Sequence, residues 1–358
     1  LTLGAAMGAR KGTSLKQRYL EFDYLRGIAI LTIMLGHAVV NVDRTLPLAL
    51  LNLIAGGTAV FVFISGFFFH NVFYRRFEYV SFMRKKVQNV FYPFLVISLV
   101  ALLPMMLAWL AKPGMTVAKF VENIYWQVND GYILYPHWYI PFVMTLFALS
   151  PLYLFFIRAS LAARLLLLLE FALMAMLVHR PLGNANVLQS LVYFTPYYLA
   201  GILYSMHFAV LNRHHRLIFA VSLLGVSLFV VLQTLVFPHL ANYHKAALTF
   251  NGIDLMFWQK LFLCIVLLEF ASWLTTRPEK PWLLQVSAAS FALYFIHPIV
   301  LTQVHSLLVP GLKAWHPGAL VNLAASLLSL VLATAGSYAV AWLVRRIWPR
   351  HSRMLTGW

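Results

Sequence analysis

The stretch "DYLRGIAILTIMLGHAVV", Asp23–Val40, decides how this chain is read. It is almost wholly apolar, it holds no Pro, and it approaches the roughly 20 residues that a helix needs to cross hydrocarbon. Yet it keeps Arg26 near its start and His37 deep inside. Ionisable side chains are costly in a membrane and persist mainly where they are paired or used. The two are eleven residues apart, and at about 100° per residue that is close to three full turns, which puts both on one helix face. At about 1.5 Å per residue they are roughly 16 Å apart. A guanidinium at one mouth suits a phosphate-bearing ligand. An imidazole deeper along the same face suits a proton acceptor. Asp23, three residues before Arg26, is placed to pair with it or orient it. The plainer readings are a snorkelling arginine and a histidine that bonds a neighbouring helix.

The rest of the chain agrees with a membrane setting. Of 358 residues, 62% are apolar and 10% charged, against about 45–50% and about 25% in soluble domains. The spacing predicts an all-α, polytopic bundle with ten spans, near 24–42, 48–72, 88–110, 138–157, 161–178, 187–207, 217–237, 255–275, 284–308 and 319–344. The expected organisation is a cytoplasmic segment 1–23, one membrane domain 24–346 and a basic cytoplasmic tail 347–358. The longest linker is expected at about 111–137.

A net charge of +17 invites a nucleic-acid reading, but the distribution of charge argues against it. With the N-terminus cytoplasmic, only Arg44, Lys112, Lys119, Arg180, Lys245, Lys260 and Lys313 of the 27 Lys and Arg residues fall on the outer side. That asymmetry is the positive-inside bias and puts both termini in the cytoplasm. The single Cys264 forms no disulfide within the chain. The histidines of "RHHR" (213–216) lack companions at metal-ligand spacing, so no metal site is expected.

"FDYLRGIAILTIMLGHA" resembles the first span of the membrane acyltransferase-3 family, marked by an arginine, ten residues and a histidine. "AVFVFISGFFF" (59–69), "FMRKKVQNVFYPF" (82–94), "HWYIPFVMTLFALSPLY" (137–153) and "SAASFALYFIHPIVL" (287–301) resemble further segments of that family in the same order. The resemblance implies transfer of an acyl group, usually acetyl from cytoplasmic acetyl-CoA, to a hydroxyl of a cell-envelope or exported carbohydrate. It implies residence in a bacterial inner membrane. It gives His37 and Arg26 the family's essential positions, with Asp23 beside them, and gives Arg84, Lys85 and Lys86 a part in holding the coenzyme A phosphates. This chain departs from the family at Val87 and Val90, where later basic residues are expected.

Chemistry adds further expectations. A neutral His37 takes the proton of an attacking hydroxyl, or carries the acetyl group itself. Charge developing on the carbonyl oxygen calls for donors, for which Ser65, Tyr294 and His297 are candidates. His137 and Trp138 are candidates for acceptor binding, against an ordinary aromatic-belt role for Trp138. Glu170 and Glu269 are expected to be buried and paired. A lipid-linked-sugar transporter or flippase is the rival reading, since midplane polar residues suit it too.

Overall fold

A computed structural model of the chain describes residues 19–129, 133–239, 244–250 and 252–358. The basic residues expected at Arg10, Lys11, Lys16 and Arg18 lie outside the described residues. The chain is a helical bundle. In order it runs α1 (Leu20–Ala38), α2 (Leu48–Ile54), α3 (Thr58–Phe68), α4 (Tyr79–Lys86), α5 (Tyr92–Leu110), α6 (Val117–Asn129), α7 (Tyr139–Ala148), α8 (Ser150–Arg158) and α9 (Leu161–Val178). It continues through α10 (Val187–Met206), α11 (Phe208–Arg213), α12 (His215–Val231), α13 (Leu255–Thr275), α14 (Pro281–Ala288), α15 (Ser290–Trp315), α16 (Ala319–Ile347) and α17 (Ser352–Thr356). One two-residue pair, β1 (Arg180–Pro181) with β2 (His244–Lys245), runs parallel.

Among the described residues, seven helical stretches are long and apolar enough to cross a membrane, and α7 with α8, bent by 55°, makes an eighth. The two remaining expected spans coincide with α1 and α10, which are long but less apolar. Their burial explains this. Both α1 and α10 bury much of their surface against other helices, so they need not be apolar all round to be stable in a membrane. The 111–137 linker is not wholly irregular, since it contains the amphipathic α6.

Polar contacts sort by end, as alternating spans require. One end joins Arg26 to Ser287, the Tyr24 hydroxyl to Lys280 N and His70 to Ser205. The other joins Val40 N to Ser326, Val42 to Asn322 and His316 to Asp43. The first is the end that carries most of the Lys and Arg residues.

Two contacts fix the central helices closely. A Cβ at Gly66 of α3 would lie 2.0 Å from the Tyr198 carbonyl oxygen, and one at Gly201 of α10 2.1 Å from that of Phe63. Each glycine thus admits the other helix's backbone, the small-residue packing expected where lipid gives helices no hydrophobic drive to associate. Gly27 does the same for α1 on α14, with the Leu283 carbonyl oxygen 2.8 Å from its would-be Cβ.

Several expectations about single residues change. Glu170 is exposed rather than buried, because α9 packs through a stripe at Ala172 and Ala175 and residue 170 faces the opposite way. Glu269 does find its partner, His215 Nδ1 at 3.5 Å. Lys260, awkward within an apolar span, is buried and donates to the carbonyls of Asn52 and Leu53 at 2.9 Å each. It thereby satisfies two carbonyls in the last turn of the short α2.

Candidate active site

The site is built from α1, α15 and the turn that leads into α7. α1 ends at Ala38, earlier than the expected 42, so His37 sits in its last turn. Across from it stands His297, in the middle of the segment formed by α14 and α15. The two imidazoles face each other with ring centroids 5.5 Å apart and planes 27° from parallel. Tyr135 closes a third side, 4.7 Å from His37 and 6.3 Å from His297. It is 44% exposed.

Local sequence explains how His297 is held. Pro298 lacks an N–H, so the carbonyl of Tyr294 loses its usual helical donor. The His297 ring turns back on that break: Nδ1 donates to Leu293 O at 2.9 Å, with the Tyr294 carbonyl also close. A backbone carbonyl only accepts, so in the neutral ring the proton is on Nδ1 and Nε2 carries the lone pair. Nε2 is buried and without a hydrogen-bond partner among the described residues. Neutral His297 is therefore an acceptor and not a hydrogen-bond donor toward an oxyanion. Tyr294, another candidate for that task, donates its hydroxyl to Pro136 O. Ser65 lies beside the Tyr139 hydroxyl instead.

His137 and Trp138 are buried inside the bundle. His137 is fully buried, bonds Ser98 through Nδ1 at 3.1 Å and packs on Phe295. Trp138 is 5% exposed, stacked 5.8 Å from Phe194, and so is no aromatic-belt residue. The segment before α7 folds inward, which hydropathy alone does not reveal. Three histidines approach one another here, yet no three His, Cys, Asp or Glu among the described residues have the geometry to hold a metal.

Arg26 lies at the other end of α1. Its Nε donates to the Ser287 carbonyl and hydroxyl oxygens, 3.1 Å each, and Nη2 to Asp23 Oδ1 at 3.3 Å. The guanidinium is thus fixed to the α14–α15 junction while 32% of its side chain stays accessible. The basic cluster divides. Arg84 and Lys85 are exposed on α4, whereas Lys86 turns inward. Its Nζ sits 4.2 Å from the Phe147 ring centroid and 5.0 Å from those of Phe73 and Phe82, a cation–π cage.

Two neighbours of the site escaped sequence reading. Tyr135 carried no pattern of its own. Arg180, on β1, lies within electrostatic range of His37, and its one signal was being a cation on the outer side. Its guanidinium lies over Trp138 at 5.0 Å and Phe194 at 5.7 Å and donates to Asn184 Oδ1 at 2.6 Å. Burial lowers its pKa, but arginine starts so high that it remains a cation.

A helical bundle with apolar helices of membrane-spanning length, a histidine pair in its interior and a tethered arginine on the same helix as His37 places the chain in the class of integral membrane proteins. Comparison with known families gives the class its name: a family model described as "Acyltransferase domain" matches residues 19–346, and the chain belongs to the acyltransferase-3 family. Searches of curated proteins and of solved structures returned no match.

Proposed function

We propose that this membrane acyltransferase moves an acetyl group from cytoplasmic acetyl-CoA to a hydroxyl of a cell-envelope or exported saccharide, in a bacterial inner membrane. The observation that carries this reading is the placement of Arg26 and His37 on one face of α1, with His297 across from His37. Arg26, with exposed Arg84 and Lys85, holds the donor's phosphates at the cytoplasmic end. The thioester reaches inward to the histidines. There the acceptor hydroxyl oxygen attacks the thioester carbonyl, and its proton passes to His37. The new C–O bond forms, the C–S bond breaks, and the proton leaves with the coenzyme A thiolate. His297, with Nδ1 committed to Leu293, offers its Nε2 lone pair to a second, neighbouring hydroxyl of the acceptor and so orients the one that attacks. Arg180 lies on the side where an outer acceptor arrives and adds positive potential toward the carbonyl oxygen.

The test is turnover of labelled acetyl-CoA by the purified full chain with and without saccharides. Loss of turnover in folded His37→Ala supports the reading, and undiminished turnover overturns it. Labelled protein formed without acceptor would replace direct transfer by an acetyl-histidine intermediate.

A further inference from the structure

We propose that the acceptor carries an anionic group, a carboxylate or a phosphate, and that Arg180 is the residue that binds it. The inference rests on the acyl-transfer reading only in naming the bound molecule as acceptor.

Charge placement comes first. The chain keeps Lys and Arg away from the outer side, so a cation retained there and turned inward runs against its own bias. Arg180 is held by neutral groups: Asn184, the Trp138 ring and the Phe194 ring. Its Nε is buried and without a hydrogen-bond partner among the described residues. Asp254 contributes to the field at Arg180 but serves as the cap of α13, accepting from Met256 N and Phe257 N. A half-buried guanidinium with neutral contacts among the described residues and an unused N–H is poised for a carboxylate or phosphate.

The aromatic groups argue against a neutral sugar as the ligand of this corner. A sugar needs an open aromatic face, but the Trp138 ring is covered by the guanidinium and by Phe194. Trp138 therefore positions Arg180 rather than stacking on substrate.

The approach is cationic as well. Directly beyond the end of α1, a cavity of about 590 Å³ is lined by Asn41, Val42, Asp43, Arg44, Lys313 and His316. Its one acid, Asp43, bonds His316 at 2.9 Å, which leaves Arg44 and Lys313 to draw anions toward the histidine end of α1.

The test is direct binding, without acyl donor, to the purified full chain in detergent. Three oligosaccharides of equal length serve as probes: a neutral glucan, a polyuronate and a phosphodiester-linked saccharide. One acidic probe is expected to bind at least about tenfold tighter than the glucan at low salt, and the advantage should shrink as salt rises. The better acidic probe identifies carboxylate or phosphate. Arg180→Gln is expected to remove the advantage, and Arg180→Lys to restore part of it, since lysine keeps the charge without the fork. Equal binding of all three probes, or an undiminished advantage in folded Arg180→Gln, overturns the proposal. If Arg180→Gln fails to fold, the wild-type comparison still decides, together with Lys313→Gln, which should slow association of the acidic probe alone. Because no donor is present, this result is independent of whether His37→Ala retains turnover.

Discussion

The rings of His37 and His297 face each other across 5.5 Å, one from the last turn of α1 and one from α15 just before Pro298. Their roles separate on the Nδ1 bond of His297 to Leu293 O. If that bond only relieves the Pro298 kink, His297→Asn, which keeps a donor, should behave as wild type. If Nε2 serves the reaction, the same variant should keep its melting temperature and lose activity about a hundredfold, while His37→Ala loses about a hundred- to ten-thousandfold. Thermal unfolding and acetyl-CoA turnover measured on the same preparations distinguish the two cases.

Arg26 is tethered by Ser287 and Asp23, and the tether predicts a graded effect on the donor. Arg26→Lys keeps the charge but cannot hold both partners at once, so the KM for acetyl-CoA should rise about tenfold with kcat little changed. Ser287→Ala removes the hydroxyl and spares the carbonyl, and about a fivefold rise is expected. An effect confined to kcat in either variant would place Arg26 in the chemistry instead of at the donor.

The basic cluster offers a sharper contrast. Lys86 sits over three rings, so Lys86→Met keeps the volume and makes sulfur–aromatic contacts in its place. Donor affinity and its salt dependence should stay as in wild type. Arg84→Gln and Lys85→Gln, both at exposed positions, should weaken binding and flatten the salt dependence. Titration with coenzyme A at several ionic strengths measures this, and the reverse ordering would return Lys86 to the phosphates.

These contrasts mark where the sequence was legible. Length and apolarity located the helices, since a span must be long and apolar whatever packs beside it. The Arg26–His37 face was legible because helical geometry relates residues eleven apart without any tertiary knowledge. Arg180 and Tyr135 were not, because packing between distant segments places them. The burial of Trp138 was not legible for the same reason: the start of the expected 138–157 span is covered by other segments of the bundle. Glu170 was misjudged because hydropathy does not say which side of α9 meets another helix. Lys86 read as one of three cations, and only the Phe73, Phe82 and Phe147 rings reveal its separate fate.

The glycines test the packing that holds all of this in place. At Gly66 and Gly201 a methyl group would overlap backbone oxygens at 2.0 and 2.1 Å, and a carbonyl cannot swing aside as a side-chain tip can. Gly66→Ala and Gly201→Ala should each destabilise the bundle by about 1–3 kcal/mol or more. Gly311 in α15 has nothing within 4 Å of its would-be Cβ, so Gly311→Ala should be neutral or stabilising by up to about 1 kcal/mol. Gly27 joins stability to function. Its would-be Cβ meets the Leu283 carbonyl at 2.8 Å, so Gly27→Ala must push α14 away from α1, and Ser287 travels with α14. That variant should lower the melting temperature and also raise the KM for acetyl-CoA as Ser287→Ala does, whereas Gly201→Ala, which presses on α3 and not on α14, should lower stability without that change. A normal KM in a destabilised Gly27→Ala would show that Arg26 does not depend on the α1–α14 contact for its position.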